Sequence, residues 1–372
     1  MTKQTGSNPQ ASELETKSAR IAEFLDRHHC SALLLSRHEN IAWATAGQVE
    51  ARVALGSETA VTSLFISRGG RKFYVAPNNE GPRLAAEEFA NLDYEAVLYP
   101  WHESAAPAIQ KLAGGGTIAS DTAIPGATHV NLAELRAPLL PPEIDRFRAL
   151  GRETADATVS ILESLEPGIT ECEMAARTSA ALLQRGIAPT VLLMGTDDRI
   201  RRYKHAVPRK GVLQRYGMIN LCARKRGLVV SITRFVHFGA LPQDLSASFS
   251  HAAQINSVLL NATRYGATSA AIFEAAQKAY AAAGAGEEIE LHHQGGPCGY
   301  VERDWVITPA GHQIVVLPQA FAYNPSLRGA KIEDTVLVTN EGAEVLTATP
   351  SLPVLETAIG SATYRSAGVL VR

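Results

Sequence analysis

A pattern that occurs twice in the second half of the chain constrains the fold most. Residues 168–186 and 266–284 each begin with Gly-x-Thr and end with a glycine eighteen positions after the first one. In each copy the threonine hydroxyl can cap the free N–H groups of a first helical turn, and the last glycine can adopt the left-handed conformation that ends a helix. In the first copy Glu173 completes a capping box with Thr170. Both segments are therefore predicted to be helices with defined ends.

The two copies also lie in a similar order of elements. A long helical stretch precedes each copy, and strand candidates follow it. The helical stretches are 143–166 and 250–265, and the strand candidates are 191–194, 218–223, 288–293 and 313–317. This order predicts a duplicated α+β unit with about a hundred residues in each half. The alternative explanation is that the two segments share common helix-start and helix-end residues by chance.

The first 140 residues alternate between strand-like and helical stretches. The strand-like runs are 32–35, 63–66, 73–76, 96–99 and 117–120, and the helical stretches are 14–28, 81–90 and 104–113. Alternation of this kind predicts an α/β layer domain. Pro141 and Pro142 can end one element and open the next helix. We therefore predict a flexible tail over 1–12, a smaller α/β domain over 13–140 and a second domain over 141–372.

Composition narrows the class of protein. The chain of 372 residues has a net charge of −2 and 46 % hydrophobic residues, so it can fill two ordinary cores. It has no basic stripe of the kind that nucleic-acid or membrane surfaces require. No apolar run approaches the roughly 20 residues that cross a bilayer, and the first dozen residues lack the apolar centre of a secretory signal. The four cysteines show no Cys-x-x-Cys spacing, which favours reduced thiols and a cytoplasmic location.

Three segments in the second half resemble a known family. Residues 217–239 are similar to its hairpin with the Ser-Asp-Ile-Thr-Arg motif, 291–304 to its His-x-x-Gly-His-Gly segment, and 322–347 to its closing Glu-Asp-Thr block. These are motifs of the creatinase and aminopeptidase P family, which also has a smaller N-terminal α/β domain. The resemblance implies an α+β fold in which a pita-bread domain, built from duplicated α/β halves, begins near residue 141. It also implies a homodimer.

The resemblance breaks down at the metal ligands. In the family's metallopeptidases two Asp, one His and two Glu bind a pair of divalent metals. Four of the five matching positions have lost their ligand, and only the last keeps its carboxylate: Asn220, Ser231, Gly296, Asn324 and Glu333. An amide, a hydroxyl and a glycine cannot replace carboxylates and an imidazole around hard divalent ions. We expect neither a metal site nor a cofactor.

Three histidines and the remaining carboxylate are the candidates for catalysis. His205 matches the family's substrate-facing imidazole, which in creatinase is regarded as the proton-transfer group, and a neutral imidazole can perform that role near pH 7. His292 and His293 are predicted on a strand, where they would point to opposite faces, so at most one should face the pocket. Glu333 could orient an imidazole, hold a cationic nitrogen or bind water. The alternatives are a surface histidine in a basic loop for His205 and structural histidines for the pair.

The remaining candidates are assigned to substrate binding. Asn220, Ser231 and Asn324 are expected to form a polar, uncharged lining, together with Tyr203 from the segment that contains His205. Arg303 matches a position where creatinase has Arg, and its guanidinium can bind a carboxylate through two hydrogen bonds. The alternative is a structural partner for a neighbouring carboxylate.

One further candidate lies in the first half. Residues 38–43 resemble a loop that leans over the partner subunit's pocket in the family, and Arg52 follows it. Arg52 could therefore hold a substrate carboxylate across a dimer interface. An exposed loop arginine is the alternative.

These residues predict a metal-independent hydrolase. Its substrate would be a small polar molecule that has a carboxylate, and the bond would be a C–N bond of the amide, amidine or ureido type. Histidine would act as the acid and base. Two alternatives are a catalytically inactive pita-bread module that binds a partner, and an Xaa-Pro metallopeptidase, against which the lost ligands argue.

Overall fold

The computed structural model describes residues 9–372, which divide into two compact units. The first unit runs to Glu143 and the second from Ile144 to Arg372. The first helix begins at Pro9, so the prediction of a flexible tail is wrong for residues 9–12, because these residues continue the amphipathic helix toward its N-terminus. The rest of the predicted tail lies outside the described residues.

The first unit contains one mixed sheet of six strands. Its strands are β1 (Ala32–Arg37), β2 (Thr59–Ser67), β3 (Lys72–Pro77), β4 (Glu95–Tyr99), β5 (Ile118–Ser120) and β6 (Ala127–His129). Its helices are α1 (Pro9–Arg27), α2 (His38–Ala44), the single turn α3 (Gly81–Arg83) and α4 (Ala106–Ala113), with a π-helical turn at Leu84–Glu88 and a 3-10 turn at Ala133–Arg136. The strand order is β4-β3-β2-β1-β5-β6. Apolar residues of β1, β2, β3, β5 and α4 form its core, and the predicted α/β layer is confirmed.

The segment predicted as a loop over residues 38–43 is a buried helix. It forms most of α2, and within that helix only Glu39 is not buried. The Asn40 amide donates to Asp121 Oδ2 at 2.9 Å, which ties α2 to the end of β5. The prediction of a loop is wrong because the three apolar side chains of this short segment, Ile41, Ala42 and Trp43, are buried within the unit.

The second unit contains two four-stranded sheets and four longer helices. The helices are α5 (Pro141–Ser164, which begins just before the unit does), α6 (Glu171–Leu183), the short α7 (Asp198–Arg202), α8 (Gln243–Ala262) and α9 (Ser269–Ala282). The strands are β7 (Ala188–Thr196), β8 (Tyr216–Lys225), β9 (Leu228–His237), β10 (Gly295–Cys298), β11 (Gln319–Tyr323), β12 (Ser326–Leu327), β13 (Ala330–Lys331), β14 (Asp334–Val338), β15 (Ala343–Val345), β16 (Val354–Ile359), β17 (Ala362–Ala367) and β18 (Leu370–Val371). The sheets have the orders β18-β9-β8-β7 and β10-β11-β14-β15, and β12-β13 and β16-β17 form separate pairs.

The two halves of the second unit begin their inner helices in the same way. Thr170 and Thr268 cap α6 and α9, and each hydroxyl accepts a hydrogen bond from the N–H group three residues later. Each threonine also forms an isolated β-bridge, Thr170 with Val212 and Thr268 with Ile314. The glycines after α6 and α9 have φ of 66° and 67°. The predicted duplication and the capping box at Thr170 are confirmed.

Two of the predicted strands are wrong. Most of residues 288–293 belongs to a 3-10 turn, Gly286–Leu291, in keeping with its glutamates, which favour helical over strand conformation. In the segment 313–317 only Ile314 forms a bridge. Backbone groups of this segment bond instead to the residues that lead into α9, as in the bond from the Ser269 N–H to Gln313 at 2.9 Å.

One apolar core joins the two sheets and two of the helices. It includes side chains of α8, α9, β8, β9, β11 and β14. One face of β8 carries Tyr216 and Met218 into this core and then Asn220 and Cys222 into a polar region, because side chains alternate along a strand. Over residues 9–372 no helix is long and apolar enough to cross a membrane.

Candidate active site

The β8–β9 hairpin places two polar pairs side by side. Its two-residue turn has positive φ at both positions, 52° and 79°, as a type I′ turn requires. The resulting register sets Asn220 opposite Thr233 and Cys222 opposite Ser231. Directly opposed side chains in an antiparallel pair touch, and the Asn220 amide donates to Thr233 Oγ1 at 2.8 Å.

Glu333, immediately before β14, lies at the middle of this polar region. It is 3 % exposed. Its Oε2 atom accepts hydrogen bonds from Asn220 Nδ2 and Thr233 Oγ1, both at 2.6 Å, and lies 3.0 Å from Lys331 Nζ. Its Oε1 atom lies 3.3 Å from Arg303 Nη2. Four donors therefore surround one carboxylate, and two of them are cations.

The two cations decide the charge of this carboxylate. Burial by itself raises the pKa of Glu333, but the charges of Lys331 and Arg303 together with hydrogen bonds from Thr233 and Lys331 outweigh burial, and the pKa falls from 4.5 to about 2. Glu333 is therefore ionised at neutral pH. Its charge is already balanced within the protein.

Arg303 connects the hairpin with Glu333. Its Nη1 atom donates to Ser231 Oγ at 3.1 Å and its Nη2 atom to Glu333. Its Nε–H group is buried and has no hydrogen-bond partner within residues 9–372. Arg303 therefore retains one unused donor.

Three histidine rings form a second cluster, which we call the imidazole cluster: His205, His292 and His293. His205 Nε2 and His292 Nε2 are 3.1 Å apart, a hydrogen bond in which the tautomers decide the donor. The rings of His292 and His293 stack with their centroids 4.4 Å apart, and those of His205 and His293 are 6.3 Å apart. The prediction that the consecutive pair points to opposite faces is wrong, because the chain here leaves a 3-10 turn and is not a strand.

A buried chain of hydrogen bonds fixes the backbone at His292. Gln294 Nε2 donates to the His292 carbonyl at 2.6 Å, and Tyr280 OH on α9 donates to Gln294 Oε1 at 2.8 Å. The Tyr280 oxygen in turn accepts from the Ser326 N–H at 3.0 Å. This network ties His292 to α9 and β12.

All three imidazoles have lowered pKa values. Partial burial is the largest cause in each case, and nearby positive charge adds to it, so that the pKa of His292 falls to about 3 and that of His293 to about 4. The pKa of His205 is also lowered, first by burial and then by the charge of Lys331. The cluster is therefore neutral near pH 7, so that each ring has one nitrogen able to accept a proton.

The five positions that match the family's metal ligands do not fit a pair of divalent metals. Glu333 is occupied by protein cations, the Asn220 amide donates to it, and Ser231 Oγ accepts from a guanidinium. A Cβ atom at Gly296 would lie 2.2 Å from the Trp305 carbonyl oxygen, so no side chain fits there. The region is built from donors and positive charge, whereas hard divalent ions require several anionic oxygens.

The structure places the other predicted site residues as follows. Asn324 is buried, its N–H group donates to the Gln294 carbonyl at 3.2 Å, and its Oδ1 atom has no partner among the described residues. Tyr203 is 48 % exposed and packs its ring against the Arg199 guanidinium. Arg52 belongs to the first unit, where its N–H group donates to Glu50. The binding roles of these three residues stay predictions.

Lys331 is a residue of this site that was not predicted from the sequence. Its side chain is 7 % exposed and contacts Glu333, and its positive charge lowers the pKa of all three histidines. A signal was present, since Lys331 lies two positions before Glu333 in an extended stretch, and residues two apart point to the same side. A lysine two positions before a buried carboxylate in an extended stretch thus predicts that the two side chains form an ion pair.

Comparison with known proteins identifies the family. Residues 145–340, more than half of the chain, match the model of metallopeptidase family M24, so the chain belongs to this family. An uncharacterized peptidase of Staphylococcus aureus (strain USA300) is 25 % identical over 361 residues, which cover 89 % of this chain and 99 % of that one.

Solved structures agree on the fold. The dipeptidase PepE from Mycobacterium ulcerans superposes with a TM-score of 0.75 at 20 % identity, covering 91 % of this chain and 96 % of that one. The Xaa-Pro dipeptidase from Bacillus anthracis gives 0.74 at 16 % identity, covering 96 % and 100 %. The predicted pita-bread fold with a smaller N-terminal domain is confirmed.

Proposed function

We propose that this chain hydrolyses a C–N bond in a small, polar, anionic molecule without a dinuclear metal centre. The observation that carries the proposal is the environment of Glu333, where Lys331 and Arg303 neutralise the one carboxylate left at the ligand positions. Family membership supports hydrolysis, because relatives are named peptidases and dipeptidases. The bond would be of the amide, amidine or ureido type.

The charge of the polar region supports an anionic substrate. Lys331 and Arg303 both lie within ion-pair distance of the single carboxylate of Glu333, and the nearby imidazoles are neutral. An uncompensated charge in a poorly hydrated region favours a ligand of opposite sign. The unused Nε–H of Arg303 adds a donor for a carboxylate.

In the proposed reaction His205 transfers protons. A water oxygen attacks the carbon of the scissile bond as His205 takes a proton from that water, and a C–O bond forms. The C–N bond then breaks while His205 returns the proton to the leaving nitrogen. His292, bonded to His205 at 3.1 Å, orients the ring, and the cations Lys331 and Arg303 stabilise the negative charge that develops on the substrate.

The substrate can be found by a binding screen. A ligand stabilises the native state by RT ln(1 + [L]/Kd), so thermal shifts should identify binders among amino acids, dipeptides, guanidino and ureido acids and cyclic amidines. Anionic compounds should shift the melting temperature and their uncharged amides should not. Hydrolysis of the binders is then followed by release of the amine.

Substitution of His205 tests the chemical step. We expect His205→Gln to reduce kcat at least about a hundredfold, the usual contribution of a general base, while circular dichroism and substrate binding are retained. His251→Asn, an exposed histidine on α8, is the matched control. Full activity of His205→Gln would remove His205 from the mechanism, and binding without any turnover by the native chain would favour a binding module.

A further inference from the structure

The imidazole cluster has the composition of a transition-metal site. One ring nitrogen from each of His205, His292 and His293 can be chosen so that the three nitrogens all lie within 4.8 Å of one another. Two of the rings are exposed and His292 is half-buried, so ions from solvent can reach the nitrogens. Nothing in the catalytic proposal requires three imidazoles at one place.

We propose that these three histidines bind a single divalent cation of the zinc class, and that the bound cation inhibits the enzyme. The binding claim stands on the geometry of the cluster, and the inhibition rests on the proposed function. This site differs from the five ligand positions described above in its residues, in its donor atoms and in the number of ions.

The distances suit a tetrahedral ion. Zn–N bonds of about 2.0–2.1 Å place two ligand nitrogens roughly 3.3 Å apart. The Nε2 atoms of His205 and His292 are already 3.1 Å apart, and the His293 ring stacks on His292. The His293 ring must rotate out of this stack to bring its nitrogen from within 4.8 Å to ligand distance, and water supplies the fourth ligand. One of the two rings carries a hydrogen on its Nε2 atom in the absence of metal. When the ion binds, that ring carries its hydrogen on Nδ1 instead.

Two features of the surroundings set affinity and selectivity. The positive charges of Lys331 and Arg303 oppose a cation and Glu333 favours it, so the affinity should be well below that of a structural zinc site. Imidazole nitrogens select Zn²⁺, Cu²⁺, Ni²⁺ and Co²⁺ over Mg²⁺ and Ca²⁺.

Inhibition follows from the identity of the ligands. A metal on His205 Nε2 replaces the hydrogen bond to His292 that orients the ring in the proposed reaction, and its positive charge opposes protonation of the other ring nitrogen. Zinc should therefore lower the rate, whereas divalent metals activate a dinuclear peptidase. The two accounts predict effects of opposite sign.

Calorimetric titration tests the site. The untagged full-length chain, stripped with chelator, is titrated with Zn²⁺ and Mg²⁺, and Co²⁺ is added separately to observe nitrogen ligation in its visible spectrum. We expect one Zn²⁺ per chain with a Kd of about 1–100 µM and no Mg²⁺ binding. His292→Asn and His293→Asn should each weaken Zn²⁺ binding at least tenfold, and His251→Asn should not change it. Unchanged binding in His293→Asn, or no binding to the native chain, would overturn the proposal.

Activity measurements separate this inference from the proposed function. If Zn²⁺ binds to the cluster and hydrolysis continues at full rate, the proposal that zinc inhibits the enzyme is wrong. If Zn²⁺ does not bind but His205→Gln abolishes turnover, the metal site is wrong and the proposed function stands. Zinc inhibition that persists in His293→Asn would place the inhibitory ion elsewhere.

Discussion

Glu333 is the only carboxylate among the five ligand positions, and it lies between the cations Lys331 and Arg303. Together with the neutral donors Asn220 and Thr233, these groups complete the hydrogen bonding of a buried charge. A buried charge of this kind is stable only while its partners remain. In this chain Glu333 is thus the centre of an internal ion network.

Removal of this charge should destabilise the second unit. Glu333→Gln leaves Lys331 and Arg303 without a counter-charge, and breaking a buried pair costs about 3–5 kcal/mol. The matched control is Glu356→Gln, which removes an exposed pair with Arg365 and should cost below ~1 kcal/mol. Urea unfolding of both variants measures the difference. Equal stability of the two variants would contradict the described network.

Acid should reveal the same interaction. The pKa of Glu333 is about 2 in the folded chain against 4.5 as its ordinary value, so its stabilising effect is complete above pH 4.5 and disappears as the pH falls toward 2. This difference corresponds to roughly 3 kcal/mol. Unfolding free energies measured between pH 6 and pH 3 should fall more steeply for the native chain than for Glu333→Gln. Parallel curves would show that Glu333 is not held by the two cations.

At the level of elements, β10 is packed too closely against its neighbours to accept a side chain. A Cβ atom at Gly296 would lie 2.2 Å from the Trp305 carbonyl oxygen, a backbone atom that cannot rotate away. Gly296→Ala should destabilise by about 1–3 kcal/mol, as overpacking usually does. Gly286→Ala is the control, since its nearest neighbour is 3.8 Å away and its effect should be small. A tolerated Gly296→Ala, seen as an unchanged melting temperature, would contradict this packing.

The same strand explains why one substitution cannot restore a metal site. The sequence resemblance aligns the family's metal-binding histidine with Gly296, where a Cβ atom would already collide with a backbone oxygen. The loss is therefore part of the packing of β10 and of the segment that contains Trp305. Changes at several positions would be required to reverse it.

Much of the fold follows from local sequence signals, whereas the site depends on tertiary contacts. Thr170 and Thr268 predict the starts of the duplicated helices, because a helix cap depends only on residues within one turn. The register of the β8–β9 hairpin is fixed in the same local way by its two-residue turn. The neighbouring positions of His292 and His293 could not be predicted, since they depend on the 3-10 turn before them. The role of Lys331 was not predicted, because it depends on the contact between its charge and Glu333 in the folded chain.

At the scale of the whole molecule, the chain has the M24 fold, and we propose that the chemistry of its centre differs from that of the family's metallopeptidases. The duplicated halves still bring the β8–β9 hairpin and the β14 strand together, as shown by the bond from the Thr233 N–H to the Glu333 carbonyl at 3.1 Å. What the scaffold presents there is a group of amides, hydroxyls and cations. The predicted homodimer and the predicted role of Arg52 in it stay predictions.

The most direct test of this account is the binding of Mn²⁺ to the metal-free protein. Mn²⁺ prefers oxygen ligands, so it reports on the five former ligand positions and not on the imidazole cluster. Equilibrium dialysis of the full chain against Mn²⁺, with metal content measured after removal of free ion, gives the stoichiometry. We expect no bound Mn²⁺ and no change in melting temperature, whereas two tightly bound Mn²⁺ ions per chain would contradict the central claim.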